Sequence, residues 1–120
     1  MDWEAFLAER PLGVLATVAA DGTPHAVPVE VLVHDGKVYA WCGGDSVKVA
    51  NVRRSGRAAL LAYKGLAAAQ VRGPARLLTA EDPSYGPITR GFLEKYKREE
   101  TFGNDTLVEI TPERVSAWEE

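Results

Sequence analysis

Residues 43–57, GGDSVKVANVRRSGR, combine residue types that suit the binding of a phosphate. Two glycines allow a ligand to approach the backbone closely, and a helix is expected to begin at Asp45 or Ser46 and to run to about Ser55. The first turn of a helix presents unpaired N–H groups and the positive end of the helix dipole, both of which attract an anion. Ser46 adds a hydroxyl donor and Lys48 adds an ammonium group. The stretch predicts a phosphate site; a capped helix with an exposed lysine is the alternative.

Charge is unevenly distributed along the chain, whose net charge is −3. Between Ser46 and Ala80 there is no acid, whereas seven bases occur: Lys48, Arg53, Arg54, Arg57, Lys64, Arg72 and Arg76. This segregation predicts an anion-binding surface. The alternative is a solvated face whose bases pair with acids elsewhere in the fold.

Length and composition exclude several classes of protein. The 120 residues suit one domain, residues 1–120, with a modest core to which a second subunit could add burial. The single cysteine, Cys42, cannot form an intramolecular disulfide, and His25 and His34 lie apart, so no metal site is expected. Neither a signal peptide nor an apolar run long enough to span a bilayer is evident. We therefore expect a cytoplasmic protein that binds neither nucleic acid nor a membrane.

The segment HAVPVEVLVH at 25–34 shows the alternation of a β-strand. One face carries four valines and is predicted to be core, while the other carries Ala26, Pro28, Glu30 and Leu32. A proline removes a ladder donor, so Pro28 predicts an edge, a bulge or a break that faces a ligand. Glu30 indicates that this second face is not ordinary core, because an unpaired buried carboxylate would be costly.

The remaining segments predict many short antiparallel strands with a few helices, which is typical of a small barrel. Helices are expected at 2–9, 46–55 and 87–100. Strands are expected at 12–20, 25–34, 37–42, 57–64, 67–79, 106–111 and 114–118, with the fifth bent near Gly73 and Pro74. The fold class is therefore mainly β.

The order of these segments resembles the pyridoxamine 5'-phosphate oxidase-like family, the split β-barrels that bind FMN or the deazaflavin F420. It is most similar to the small actinobacterial members that use F420. The resemblance is carried by L-A-T-V-x-x-D-G-x-P at 15–24, the Pro-Val pair at 28–29, S-x-K-x-x-N-x-R-R at 46–54 and the closing ITPERVSAW at 110–118. It implies a split barrel of six to seven antiparallel strands with short helices, and a homodimer with cofactor sites at the subunit interface.

The resemblance also implies which residues bind the cofactor. Ser46 and Lys48 match positions that hold the phosphate, and Pro28, Val29 and Glu30 match the strand that lines the ring system. The remaining matches are the strand end at Trp41 and Gly43, and the helix residues Asn51, Arg53 and Arg54. Asn51 could instead fix a loop, and the two arginines could pair with acids. Glu30 departs from the family pattern, in which this position is often polar or aromatic. A carboxylate there would repel an anionic ring.

The function implied is that of an oxidoreductase which transfers hydride between reduced F420 and a small organic substrate that the sequence does not identify. The cofactor supplies the chemistry, so no catalytic side chain is assigned. The acid-free basic segment would suit the glutamate tail of F420. An FMN-dependent oxidoreductase of the same fold is one alternative, and a non-enzymatic protein that binds flavin, F420 or haem is another.

Overall fold

The computed structural model describes residues 1–101 and 103–119, so two residues of the predicted 1–120 domain, 102 and 120, lie outside it. The helices are α1 (Trp3–Ala8), α2 (Val47–Ser55) and α3 (Tyr85–Tyr96). The strands are β1 (Gly13–Val18), β2 (Pro24–His34), β3 (Lys37–Gly43), β4 (Arg57–Lys64), β5 (Ala67–Leu78), β6 (Asp105–Ile110) and β7 (Arg114–Trp118). None of the helices within these ranges is long and apolar enough to cross a membrane.

Six strands close into an antiparallel barrel in the order β4-β1-β2-β3-β6-β5, because β4 also pairs with β5. The seventh strand, β7, pairs with the outer edge of β5. The prediction of a mainly β split barrel with short helices is confirmed. Each predicted strand is present with bounds that differ by at most a few residues from the sequence pattern.

The alternation in β2 divides its residues between the barrel interior and the outside, as the sequence predicts. Val29 and Val31 are buried in the main core, and Val27 and Val33 pack against it. On the opposite face, Ala26 and Pro28 are exposed and Glu30 is half-buried. The outer face of β2 is therefore available to form a site.

The barrel splits along β2, which pairs with β1 over 24–29 and with β3 over 30–34. Pro28 lies in the first of these segments, before the pairing with β3 begins at Glu30 and Trp41. A residue without an N–H is tolerated where a ladder is interrupted. The change of partner separates β2 from β3 at the level of Pro28 and Val29, just before the Glu30–Trp41 pair.

A second change of partner explains the bend predicted in β5. Up to Pro74 this strand pairs with β4, and from Ala75 onwards it pairs with β6. A side chain at Gly73 would collide with the backbone carbonyl of Thr111, so only glycine allows this close approach.

Helix α3 ends four residues earlier than its sequence pattern predicts. The pattern extends to Glu100, but Lys97 adopts a left-handed conformation with φ 54°. The N–H of Arg98 then donates to the carbonyl of Leu93 at 3.0 Å, an arrangement that ends a helix. The chain turns back at this point, which brings Arg98 to the outer face of β2.

Strand β3 is buried on both faces and links two cores. Val38, Ala40 and Cys42 face the barrel interior. Tyr39 and Trp41 face outwards, where they pack under α3 together with Ile88 and Phe92. The rings of Trp41 and Phe92 meet edge to face, with 4.9 Å between their centroids. Helix α3 is therefore held against the strand that leads to the glycine-rich stretch.

Candidate functional site

A groove of about 650 Å³ opens where β2 separates from β3 and α2 begins. Six of the ten residues predicted to bind a cofactor line it: Pro28, Val29, Glu30, Trp41, Gly43 and Lys48. The other lining residues are Leu12, Cys42, Asp45, Asn104 and Asp105. The fold thus brings the predicted ring-binding strand and the predicted phosphate-binding lysine to one cavity.

Ser46, at the start of α2, leaves the first turn of that helix open. It occupies the N-cap position, but its hydroxyl donates to the carbonyl of Gly43 at 2.7 Å instead of capping the helix. The N–H of Gly44 donates to the carbonyl of Asn104 at 2.8 Å, which fixes the preceding loop. No acid occupies the first turn, where Lys48 is half-buried. An uncapped helix start beside an ammonium group suits a phosphate.

The other predicted helix residues contact the barrel. Asn51 is buried and donates from Nδ2 to the hydroxyl of Thr17 at 3.0 Å. Arg54 donates to the carbonyl of Val18 and to Oδ1 of Asn51. These bonds tie α2 to β1, and Arg53 is exposed on the same helix. Among the described residues, the groove lining includes none of these three side chains.

Glu30 forms a two-pronged ion pair with Arg98 across the groove wall. Both oxygens accept a hydrogen bond from the guanidinium, each at 2.6 Å. The guanidinium carbon of Arg98 also lies 4.8 Å from the ring centroid of Trp41, in cation–π geometry. Glu30 alone would repel an anionic ring. The guanidinium of Arg98, which the sequence pattern did not assign to this site, offsets that repulsion.

The end of α3 is anchored to β2 next to this ion pair. The hydroxyl of Tyr96 accepts from the N–H of Val31 at 2.9 Å and donates to the carbonyl of Pro11 at 2.8 Å. The ammonium of Lys95 donates to the carbonyl of Val31 at 2.6 Å, and burial lowers its pKa to about 8. The end of α3, two residues before Arg98, is therefore fixed against β2 independently of the ion pair.

The seven bases of the acid-free segment do not form one surface. Lys48 lies in the groove, while Arg57 pairs with Glu113 at 2.6 Å. Arg76 pairs with Glu109 at 2.7 Å, and neither residue lines the groove. Pairing with distant acids, the alternative reading of the charge pattern, applies to the last two residues.

Comparison with known proteins identifies the family. The sequence pattern of the family described as Pyridoxamine 5'-phosphate oxidase matches residues 2–119. The chain belongs to this family.

One similar protein is a named reductase, and solved structures share the fold. An F420H2-dependent biliverdin reductase of Mycobacterium tuberculosis is 30% identical over 115 residues, which are 92% of this chain and 82% of that protein. A conserved hypothetical protein from Mycobacterium tuberculosis superposes with a TM-score of 0.81 at 25% identity, covering 96% of this chain and 81% of the other. A structure described as an F420 reductase has a TM-score of 0.76 at 21% identity, covering 97% of both chains.

In this member of the pyridoxamine 5'-phosphate oxidase family, the sequence pattern did not predict three residues at the groove: Arg98, Asn104 and Asp105. Asn104 and Asp105 enter it because β6 pairs with β3, with Asp105 opposite Gly43. Arg98 reaches Glu30 only because α3 ends at Tyr96. The one local signal was Glu30 itself, since a carboxylate on a half-buried face requires a cation. In the part of the chain that the structure describes, no cluster of metal-ligating side chains is present.

Cys42 lines the groove but is only 2% exposed, and burial raises the pKa of its thiol to about 11. Because the thiolate is the reactive form, we expect iodoacetamide to modify Cys42 much more slowly at pH 8 than it modifies free cysteine. Mass spectrometry of the treated protein measures this rate. Modification as fast as that of free cysteine in the folded protein would show that the thiol is accessible and ionised.

Proposed function

We propose that this protein is an F420-dependent reductase, which transfers hydride from reduced F420 to a small organic substrate. The support comes from the 30% identical relative, which is named an F420H2-dependent biliverdin reductase. Family membership supports an oxidoreductase with a flavin-type cofactor. Family membership does not specify F420 or a substrate, so both are part of the proposal.

The observation that carries the proposal is the composition of the groove. One end has the open start of α2 with Lys48, which suits a phosphate. The other end is lined by the exposed Pro28 and by Val29 and Trp41, whose side chains are largely buried. This end suits a planar ring laid along the β2 backbone. Arg98 neutralises Glu30 at this end. A cofactor that carries both a phosphate and a planar ring would match both ends of the groove.

When bound, the deazaflavin would supply the hydride, and the chain's own residues would bind and orient it. Lys48 and the α2 backbone would hold the phosphate. The β2 backbone from Pro28 to Glu30 would fix the ring, and the ion pair with Arg98 would set the charge behind it. The described lining contains three carboxylates (Glu30, Asp45 and Asp105) but only one cation. We therefore expect further cations from a second subunit.

FMN remains the second candidate because of one observation. Lys48 is the cation that the described groove lining contributes, and one phosphate needs no more than that. A long anionic tail, in contrast, needs additional bases. FMN-dependent chemistry on the same fold would use the groove in the same way.

An assay of cofactor oxidation tests the proposal. The protein is mixed with reduced F420 and biliverdin, the substrate named for the relative, and the absorbance of oxidised F420 is followed. We expect turnover that depends on both protein and biliverdin. A parallel reaction with reduced FMN provides the comparison, and turnover with reduced FMN but not with reduced F420 would replace the proposal with the second candidate.

We further propose that the protein functions as a homodimer with the two grooves at the subunit interface. A second cavity, about 300 Å³, adjoins the groove and shares Leu12 and Pro28 with it. Leu12 is 54% exposed and Tyr63, on the same cavity, is 64% exposed. Trp118 on β7 is 49% exposed. Large apolar side chains exposed together on one sheet are typical of an interface.

The dimer is tested by sedimentation at micromolar concentration. We expect a mass of twice 13.0 kDa. Replacing Tyr63 with Asp is expected to shift the protein towards monomer, because a charge would be buried at the contact. A wild-type protein that sediments as a folded monomer would overturn this proposal while leaving F420 binding open to measurement.

Replacing Lys48 with alanine is expected to weaken F420 binding by about 1.5 kcal/mol, the low end for a hydrogen bond to a charged group, because Lys48 is half-buried. Isothermal titration calorimetry measures the change. Lys64→Ala is the matched control, since Lys64 is an exposed lysine outside the groove. Equal affinities for Lys48→Ala and Lys64→Ala would exclude a role for Lys48 in phosphate binding.

A further inference from the structure

A separate cleft of about 410 Å³ lies on the outer face of the sheet formed by β1, β4, β5 and β7. It shares no lining residue with the groove at α2. Three arginines line it, Arg57, Arg72 and Arg114, together with one acid, Glu113. The lining of the cleft is therefore cationic, although the protein as a whole carries a net negative charge.

The sheet register forces two of these arginines together. Arg72 on β5 lies directly opposite Arg114 on β7. Like charges in directly opposed positions of an antiparallel pair destabilise the sheet. Within residues 1–101 and 103–119, neither of the two has a carboxylate within 4.0 Å. Glu113 is already engaged, because it accepts from Arg57 at 2.6 Å. The cleft thus retains two guanidinium groups that an anion would stabilise.

The floor between the arginines is apolar. Outward-facing side chains of β1 and β4, Ala16, Val18 and Ala59, form it together with Pro24. Val18 is 47% exposed in the single chain, so a ligand can reach this floor there. A bare inorganic ion would leave the apolar floor uncovered, whereas an organic anion would cover it and place its charge on the arginines.

The cleft adjoins the apolar surface assigned to the dimer contact, but its arginines lie at the opposite end. Val14 and Leu61 line the second cavity, and Ala16 and Ala59, two residues further along the same strands, line the cleft. Along β5 and β7, Arg72 and Arg114 lie four residues away from the pair formed by Ala68 and Trp118. Tyr63 is opposite Ala68 on the other side of β5. At about 3.3 Å per residue, Arg72 and Arg114 lie roughly 13 Å along the strands from the Ala68–Trp118 pair.

We propose that this cleft is a second binding site, and that it takes an organic anion with an apolar body and at least one carboxylate. The carboxylate would accept hydrogen bonds from Arg72 and Arg114, and the body would lie on the floor of Ala16, Val18, Pro24 and Ala59. The site does not depend on the cofactor or on the reaction assigned to the groove at α2.

The test is a calorimetric titration of the wild-type protein, without cofactor, using isophthalate as the probe. Isophthalamide has the same ring without charge, and inorganic phosphate has charge without the ring. We expect isophthalate to bind more tightly than either. Added salt should weaken its binding, because the arginines are exposed and ionic attraction is screened.

Variants assign the binding to the cleft. Arg72→Gln and Arg114→Gln should each weaken isophthalate binding by about tenfold, the equivalent of one hydrogen bond between charged groups. Glu113→Gln should strengthen it, because Arg57 would be released. Arg90→Gln, a change at an exposed arginine on α3 outside the cleft, should have no effect. Thermal denaturation checks that each variant is folded.

Three results would overturn the proposal. Isophthalamide or phosphate binding as tightly as isophthalate would exclude a site for an organic anion. Isophthalate affinity unchanged by both arginine substitutions would place the binding elsewhere. A loss of affinity in Glu113→Gln equal to that in Arg72→Gln would indicate a structural effect on the sheet instead of a charge effect in the cleft.

Discussion

Replacing Arg76 with alanine is expected to lower the free energy of unfolding by about 2 kcal/mol, within the range for a hydrogen bond to a charged group. The Arg76 side chain is 54% exposed, so the loss is smaller than for a fully buried ion pair. Glu109 is only 3% exposed, and Nε of Arg76 donates to it at 2.7 Å. The hydroxyl of Tyr39 donates to the other oxygen at 2.9 Å. Lys37, 3.6 Å away, remains in the variant and limits the loss. Urea denaturation at pH 7 measures the effect.

The double variant Arg76→Ala/Glu109→Gln is the control for this prediction. It removes the charge that Arg76→Ala leaves buried, so it should recover more than half of the lost stability. A double variant no more stable than Arg76→Ala would show that the loss comes from packing of the arginine side chain. The ion pair would then contribute little.

The same ion pair predicts how stability depends on pH. Burial by itself would raise the pKa of Glu109, but hydrogen bonds from Arg76 and Tyr39 and the nearby positive charges outweigh it and hold the pKa below its ordinary value of 4.5. A depressed carboxyl pKa contributes stability that is fully present above pH 4.5 and is lost as the pH falls through the folded-state pKa. The stability difference between wild type and Arg76→Ala should therefore shrink below pH 4.5.

Replacing Arg98 with methionine is expected to weaken F420 binding by about 2 kcal/mol, the low end for truncating one partner of a desolvated charge pair. Glu30 would then present an uncompensated carboxylate to the ring, since both of its 2.6 Å hydrogen bonds to Arg98 would be lost. Methionine retains an apolar side chain beside Trp41 and so preserves much of the packing. Calorimetric titration at low salt measures the change.

A double-mutant cycle separates charge from shape at this site. Glu30→Gln alone should bind F420 at least as tightly as the wild type, because Arg98 would keep its positive charge. Glu30→Gln/Arg98→Met should return to near wild-type affinity, because both charges are gone. If Arg98→Met and the double variant lose affinity equally, the arginine acts by packing against Trp41 and not by neutralising Glu30.

Local patterns predicted most of the fold. The alternation in β2 identified the valine face as core, and Gly73-Pro74 identified the bend in β5, because each depends on residues adjacent in sequence. The predicted end of α3 at Glu100 was wrong. Apart from Gly91, and with Pro87 in the first turn, every residue from 87 to 100 is compatible with a helix, so no local signal marks the end at Tyr96. The left-handed turn at Lys97 is selected by tertiary contacts of Tyr96 and Arg98 with β2.

Only some residues of the candidate site could be predicted, because the others reach it through tertiary contacts. Pro28, Glu30 and Lys48 carry local signals, namely a missing donor, a charge on a half-buried face and a base at a helix start. Asp105 and Arg98 carry none, because they reach the groove through the pairing of β6 with β3 and the docking of α3. The bases are grouped in the sequence, which predicted one anion-binding surface. In the barrel they lie on several separate surfaces.

Titration of the purified protein with F420 and with FMN under identical conditions tests the central claim, that the groove between β2, β3 and α2 binds the deazaflavin. We predict one F420 per chain, bound more tightly than FMN. Tighter binding of FMN, or no binding of F420 by a folded wild-type protein, would contradict the claim.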